Sequence, residues 1–180
     1  MRLRYVMAAM VLGLALAGSN QAQAEVVSTG EGRLLLRNVS VISAPPSGVY
    51  EKLGEIGRWW ESAHTYSGKA SNMTIRLEPG ACFCEALPGG GVKHGEVVLA
   101  IPGKTLRILG ALGPLQDLGA AAALTFQLKA LPNGDTEVTQ TYQVGGLDGA
   151  TLKNAVIFDR VVGAQLMGLK RYVEAAPQGQ

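Results

Sequence analysis

Hydrophobic and polar residues alternate along much of the chain between residues 33 and 145, which is the period of β-strands with one buried face. A first strand is predicted over 33–43, and six consecutive strands are predicted from residue 72 onward: 72–78, 82–87, 92–101, 105–109, 122–130 and 136–145. The turn Pro132-Asn133-Gly134-Asp135 predicts a hairpin, because Asn and Gly accept positive φ. Strands joined by short turns predict an antiparallel sheet of about six to seven strands.

Two regions follow the helical period instead. After the first strand, Pro45-Pro46 opens a segment in which Val49, Leu53 and Ile56 form one apolar stripe, and we expect two short helices here. From Thr151 to Glu174 apolar residues recur at helical spacing with no proline, which predicts one long C-terminal helix. The fold class is therefore α+β, with the helices on one face of the sheet.

The N-terminus resembles a secretory signal peptide. Arg2 and Arg4 precede the short apolar run Val6 to Ala17, and Ala22-Gln23-Ala24 is a small-x-small cleavage site. We predict a signal peptide over 1–24 with cleavage after Ala24, a flexible leader over 25–32, one domain over 33–174 and a disordered tail over 175–180. The alternative is an uncleaved anchor, although the run is short for a membrane span. The protein is expected to be periplasmic or secreted, with no stable membrane anchor after cleavage.

Charge balance changes once that segment is removed. Its two arginines leave 16 − 2 = 14 basic residues against 14 acidic ones, so the mature chain has no net charge. A neutral domain lacks the basic surface of a nucleic-acid-binding protein, and we expect no nucleic-acid partner.

The stretch from Glu78 to Val98 carries both cysteines and His94. With hairpin tips at Pro79-Gly80 and at Pro88 to Gly91, Cys82 and Cys84 face Val97 and Gly95 on the inner face, while His94 faces Glu85 on the outer face. Such a register excludes a metal site shared by the thiols and His94, and an i,i+2 disulfide is disfavoured because extended residues sit roughly 6.6 Å apart. The cysteines are then core or cavity-wall residues, with a metal, redox or intermolecular role as the alternative. A slip of one residue would reverse these faces.

A few other side chains have two interpretations each. His94 with Glu85 is either a solvated charge pair or an acid/base dyad, and His64 lies in a polar loop near Trp59 and Tyr66. The Trp59-Trp60 pair either closes the core or gates a pocket. Asp159 lies in the apolar stripe of the long helix, where it is half-buried, contacts a polar ligand group, or is exposed. No motif for a metal or cofactor is found, so we predict none.

An ordered set of segments resembles the START/Bet v 1-like (SRPBCC) helix-grip superfamily, in its branch of polyketide cyclases and Hsp90-ATPase-activator-type domains. The resemblance covers about residues 33–174 and rests on VISAPPSGVY at Val41–Tyr50, on RWW at Arg58–Trp60, and on PGACFCE, HGEVVLAIPGKTLRILGALGPL, LTFQL, VTQTYQVGG and FDRVVGAQLMGLKRYVE further along. It implies an antiparallel sheet wrapped around the C-terminal helix, with a cavity between them. Members bind lipids, sterols, polyketides or other hydrophobic molecules, and a minority catalyse cyclisation or dehydration.

The leading hypothesis is an exported domain that binds a hydrophobic small molecule or lipid in this cavity. A polyketide cyclase or dehydratase is the second hypothesis, and it needs Asp159 or His64 aimed into the cavity. A protein-interaction module is the third, although export argues against Hsp90 as its partner, and a homodimer is left open. No catalytic residue is assigned, and the predicted ligand-binding residues are Trp59, Trp60, Met73, Ile75, Cys84, Val97, Leu99, Phe126, Tyr142, Val156, Asp159 and Leu166.

Overall fold

One antiparallel sheet of eight strands and a long C-terminal helix make up the protein, in a computed structural model that describes residues 23–175. In chain order the elements are β1 (Gln23–Gly30), β2 (Arg33–Ile42), α1 (Pro46–Leu53), three 3₁₀ turns (Ile56–Arg58, Ser62–His64, Ala70–Asn72), β3 (Met73–Thr74), β4 (Cys82–Leu87), β5 (Gly90–Ile101), β6 (Thr105–Leu109), a 3₁₀ turn (Gly113–Leu115), β7 (Ala121–Ala130), β8 (Thr136–Gly145), α2 (Gly149–Leu152) and α3 (Ala155–Ala175). The strands lie side by side in the order β1-β2-β8-β7-β6-β5-β4-β3.

The α+β class is confirmed, but the sheet has one strand more than the six to seven predicted. The additional strand is β1, which falls on the segment expected to be a flexible leader and pairs with β2 from Gly30↔Arg33 to Gln23↔Val39. Gly30-Glu31-Gly32 makes this hairpin possible, because all three residues have positive φ. Residues 1–22 and 176–180, with most of the predicted signal peptide and tail, lie outside the described residues.

The long helix begins later than predicted. Asp148 caps the short helix α2 by accepting a hydrogen bond from the Thr151 N–H at 2.7 Å, and the chain is interrupted at Lys153-Asn154 before α3. Helix α3 lies against β1, β2 and α1, and its buried stripe includes Val162, Leu166 and Leu169. None of the helices in residues 23–175 is long and apolar enough to cross a membrane.

The register between β4 and β5 differs from the prediction. Leu87 pairs with Gly90, so the tip is Pro88-Gly89, and Cys84 pairs with Lys93 rather than with Gly95. Cys82 pairs with Glu96 rather than with Val97. The pairs Cys84↔Lys93 and Phe83↔Gly95 leave one β5 residue unpaired between them, a β-bulge at His94.

This shift exchanges the two faces of β4. Phe83 and Glu85 point inward and are 0% and 1% exposed, whereas Cys82 and Cys84 lie on the outer face and are half-buried. His94 is also buried, at 4% exposure, so the prediction of His94 and Glu85 on the outer face was wrong. The cysteines and His94 do lie on opposite faces of the sheet, as expected. However, the cysteines lie on the outer face predicted for His94, and His94 lies on the inner face predicted for the cysteines.

The bulge depends on glycine at two positions. A Cβ at Gly110 would lie 2.1 Å from the carbonyl oxygen of His94, and a Cβ at Gly95 would lie 2.7 Å from that of Leu109. Only a residue without a side chain lets β6 approach β5 this closely. The glycines therefore help to turn His94 toward the interior.

Candidate functional site

A cavity of about 420 Å³ lies between the first half of α3 and strands β5, β7 and β8. Two loops complete its wall, one from Trp60 to Tyr66 and one from Leu112 to Asp117. Tyr66 and Ile157 are about half exposed and mark the mouth of the cavity. Most of the wall is apolar, and its aliphatic and aromatic members include Trp60, Leu112, Pro114, Leu115, Leu124, Phe158, Val161 and Val162.

Two of the twelve predicted ligand-binding residues, Trp60 and Tyr142, line this cavity. Val156 is 64% exposed and lies outside it, while Asp159 is buried deeper, next to the sheet. Cys84 and Leu99 are half-buried on β4 and β5, away from the cavity. The other six are packed in the hydrophobic core: Trp59, Met73, Ile75, Val97, Phe126 and Leu166.

His94 and Glu85 form a buried pair at the cavity wall. The Nε2 atom of His94 lies 2.9 Å from Oε2 of Glu85. The backbone N–H groups of Tyr66 and Ser67 also donate to the Glu85 carboxylate. Burial alone would raise the pKa of Glu85, but the hydrogen bonds from the Tyr66–Ser67 loop and from His94 outweigh burial and hold the pKa below its ordinary value.

An ionised Glu85 determines which nitrogen of His94 carries the proton. A carboxylate only accepts hydrogen bonds, so Nε2–H donates to Glu85, and in the neutral ring Nδ1 is left as an acceptor. Within residues 23–175, Nδ1 has no hydrogen-bond partner, and His94 lines the cavity. The ring packs against Phe83 and Tyr66, with centroids 5.0 and 5.9 Å away. A basic nitrogen held in this way can accept a proton or a hydrogen bond from a molecule in the cavity.

Two polar side chains of β8 add to this wall. The Tyr142 hydroxyl accepts a 2.8 Å hydrogen bond from the N–H of Leu112, so its own proton is available to a ligand. Burial raises the pKa of Tyr142 to about 12, which keeps the phenol protonated. Gln140 is fully buried, lines the cavity, and neither its amide oxygen nor its nitrogen has a partner in the described part of the chain. An unpartnered buried amide is costly, so its donor and acceptor are suited to a bound molecule or water.

Beside Gln140, away from the cavity, lies another buried polar pair. Asn38 is the direct β2 partner of Gln140, and its Nδ2 lacks a hydrogen-bond partner among the described residues, as does Oδ1 of Asp159. Burial raises the pKa of Asp159, and the nearby Asn38 amide opposes part of that rise. Of the three interpretations that the sequence left open for Asp159, half-buried, in contact with a polar ligand group or exposed, the structure shows a buried carboxyl that does not line the cavity.

Gln165 ties α3 to the loop over the cavity. Its Oε1 accepts a 2.9 Å hydrogen bond from the N–H of Glu61, and its Nε2 lies 2.9 Å from Nδ1 of His64. His64, which sequence reasoning considered for catalysis, therefore lies at the cavity with this nitrogen occupied. Gln165 was not among the predicted site residues, because nothing in the helical pattern distinguishes a buried glutamine from a solvent-facing one.

The cysteines form a disulfide, Cys82–Cys84, on the outer face of β4. This contradicts the prediction of two core thiols without a bond. Their Cα atoms are 5.4 Å apart, closer than in a fully extended strand, and the irregularity in the ladder opposite this step bends the chain. No group of three or more potential metal ligands occurs within residues 23–175.

Comparison with known proteins places the architecture. No protein-family model matches the sequence, and no curated protein matches it significantly. Solved structures do match. Protein MLL2253 from Mesorhizobium loti superposes with a TM-score of 0.55 at 19% identity, covering 78% of this chain and 98% of that one.

Two further solved structures match over most of this chain. CalU16 from Micromonospora echinospora has a TM-score of 0.50 at 14% identity, over 88% of this chain and 84% of its own. The di-domain aromatase/cyclase StfQ from the steffimycin pathway has a TM-score of 0.53 at 14% identity, over 79% of this chain and half of its own. This chain shares their fold. At such identities the likeness shows the fold alone, an antiparallel sheet with a long C-terminal helix against it.

Proposed function

We propose that this protein is an exported member of the START/Bet v 1-like superfamily that binds a hydrophobic small molecule or lipid in the cavity under α3. The observation that carries the proposal is the cavity itself, about 420 Å³ in volume, with a mostly apolar wall. Three polar groups on one side of it, from His94, Gln140 and Tyr142, have hydrogen-bonding capacity that no described residue uses. This volume is within the range of small-molecule sites. Binding would be driven by burial of apolar surface, roughly 2.5 kcal/mol for each 100 Å², less the cost of fixing the ligand.

The polar groups would orient such a ligand. Nδ1 of His94 accepts, the Tyr142 hydroxyl donates, and the Gln140 amide does both. A ligand with a hydroxyl and a carbonyl at one end would satisfy all three, while its apolar remainder packs on the aliphatic wall. The cavity would therefore select amphiphilic molecules over plain hydrocarbons, because the latter leave the buried amide unpaired.

The first test is native mass spectrometry of the protein purified from the periplasm, which should show a co-purified apolar ligand. A matched pair of variants locates the site. Val161→Trp fills the cavity from a partly exposed helix position, whereas Val156→Trp adds the same bulk on an exposed position of the same helix. We expect Val161→Trp to weaken binding of 1-anilinonaphthalene by about ten-fold or more, which is roughly 1.4 kcal/mol, and Val156→Trp to have little effect. Equal binding by both variants would rule out this cavity as the site.

Export is supported by the N-terminal pattern and by the Cys82–Cys84 disulfide, which is a bond typical of oxidising compartments. Cell fractionation with N-terminal sequencing of the product tests it. A mature chain starting at Glu25 in the periplasm or medium is the expected result. Full-length protein confined to the cytoplasm would refute this part of the proposal.

A second candidate function is proton-transfer catalysis of the cyclase or dehydratase type, and the buried His94–Glu85 pair favours it. Nδ1 of His94 would take the proton α to a ligand carbonyl, the β-hydroxyl would leave, and the imidazolium would return the proton to it as water is released. The products are an α,β-unsaturated ketone and one water molecule.

A model β-hydroxy ketone tests this function, since the enone formed absorbs in the near ultraviolet. His94→Gln should retain probe binding and lose dehydration, whereas Asp159→Asn should retain both, because Asp159 does not line the cavity. Turnover unchanged in His94→Gln would eliminate catalysis by this pair and leave the binding function standing.

A further inference from the structure

The Cys82–Cys84 disulfide is accessible without disturbing the core. Both cysteines point away from the interior and are half-buried, while the residues that alternate with them, Phe83 and Glu85, are almost completely buried. Strand β3 pairs only with Cys84 and Glu85, so within the described sheet Cys82 has a neighbouring strand on one side only. A thiol from outside can therefore approach Cys82 at the sheet edge.

This bond is a weak candidate for a structural cross-link. It closes a loop between residues only two positions apart, and the entropy that a cross-link removes from the unfolded chain grows with loop length. Strand β4 is also held along its whole length by the ladder to β5. The fold gains little from the bond that the sheet does not already provide.

The charges around the two sulfurs are unequal. Lys93 is directly opposite Cys84 and Glu96 is directly opposite Cys82, and such partners have Cβ atoms roughly 5 Å apart on the same face. The two charged side chains also meet, with 2.6 Å between Nζ of Lys93 and Oε2 of Glu96. A neighbouring lysine stabilises a thiolate and a neighbouring carboxylate disfavours one. Cys84 is thus the better leaving group when the disulfide is attacked.

We propose that Cys82–Cys84 is a thiol–disulfide exchange site whose co-reactant is an external dithiol, either a small molecule or a dithiol protein. A thiolate of the dithiol attacks Sγ of Cys82, the bond between the two sulfurs breaks, and Cys84 leaves as a thiolate. The second thiol of the reductant then attacks the mixed disulfide and releases Cys82. In balance, the dithiol is oxidised to a disulfide and Cys82–Cys84 is reduced to two thiols. The exchange is independent of what the cavity binds.

The first experiment exposes the folded, oxidised protein to dithiothreitol at neutral pH and follows it by alkylation and peptide mass spectrometry. We expect complete reduction while the circular dichroism spectrum stays unchanged. Reduction that occurs only when the protein is unfolded with urea would overturn the proposal and make the bond a structural cross-link. Free thiols at both positions in protein from an oxidising compartment would also overturn it.

Single-cysteine variants test the inequality of the two sulfurs. In Cys82→Ser the remaining Cys84 thiol should react with iodoacetamide several-fold faster at pH 7 than the Cys82 thiol does in Cys84→Ser, and Lys93→Gln should remove the difference. Equal rates in both variants would refute the assigned direction of attack. The double variant Cys82→Ser/Cys84→Ser is the folding control, and its melting temperature should stay close to that of the parent. A large loss of stability would support the structural alternative instead.

Discussion

Replacing Glu85 by glutamine tests whether the Glu85 carboxyl, buried beside His94, is ionised as its hydrogen bonds indicate. The carboxylate accepts three hydrogen bonds, from the N–H groups of Tyr66 and Ser67 and from Nε2 of His94. With the amide oxygen placed to keep the bonds from Tyr66 and His94, the amide nitrogen faces the N–H of Ser67, and two donors meet. The variant loses one charge-assisted bond and weakens two others.

The expected loss follows from typical values for such bonds. A hydrogen bond to a buried charged group contributes about 2 kcal/mol, and the change from a charged to a neutral acceptor weakens the remaining two by roughly 1 kcal/mol together. Glu85→Gln should therefore lower the free energy of unfolding by about 3 kcal/mol at pH 7, a large share of the stability of a typical domain. Glu85 is 1% exposed, so solvent screening does not reduce the effect.

The pH dependence has a definite sign. Because the folded pKa of Glu85 is depressed, its contribution is present above the unfolded value of about 4.3 and is lost as the pH falls through the folded pKa. Urea unfolding followed by tryptophan fluorescence should show the parent and Glu85→Gln converging below pH 4. Glu96→Gln, on an adjacent strand with a half-exposed side chain, is the control and should change stability by under about 1 kcal/mol. A Glu85→Gln loss below 1 kcal/mol, or one that is the same at pH 7 and pH 3, would refute the buried charge.

Three other substitutions check separate parts of the structure. Gly110→Ala places a Cβ against the carbonyl of His94 and should lower the free energy of unfolding in chemical denaturation by about 2 kcal/mol or more. Gly145 has open space around it, so Gly145→Ala should cost less than about 1 kcal/mol. Equal losses in the two variants would contradict the close approach. Spectrophotometric titration should find Tyr142 protonated until about pH 12, and stability should fall above pH 10 because the tyrosine ionises in the unfolded chain. Tyr142→Phe should remove part of the absorbance change seen above pH 11, and an unchanged titration curve would disprove the assignment. Asp159→Asn should raise the melting temperature at pH 7 and have less effect at pH 3, because burial raises the pKa of this carboxyl and makes its charge unfavourable at neutral pH. A lower melting temperature at pH 7 would indicate that the Asp159 charge stabilises the fold.

Much of the architecture could be predicted from periodicity, since β2, β6 and β8 begin and end within about one residue of the alternating segments. The register of β4 could not. Cys82 and Cys84 look like a small apolar face, and the partner face includes Glu85, whose burial no hydrophobic pattern reveals. Its burial is favourable because the N–H groups of Tyr66 and Ser67 in a distant loop, and Nε2 of His94 on the neighbouring strand β5, donate hydrogen bonds to it. The alternation of residues along β4 carries no sign of these contacts.

The candidate site shows the same division. A cavity beneath the long helix follows from the family resemblance, but its residues depend on how far α3 lies from each strand. Phe126 and Leu166 point inward as expected but are packed in the hydrophobic core, whereas Gln140 and Gln165 line the cavity. The bulge at His94 had one sequence signal, the glycines at 95 and 110, which became interpretable only once the close approach of the two strands was known.

The orientation of His94 depends on the glycine at position 110, and this dependence predicts a pattern in related sequences. Histidine at position 94 can point into the cavity only where the opposing backbone comes close, so the histidine and the glycine at 110 should be gained and lost together among related sequences. Proteins of this fold that keep the pair would share the imidazole in the cavity wall. Those that replace either residue would retain the shell and bind their ligands without a basic nitrogen.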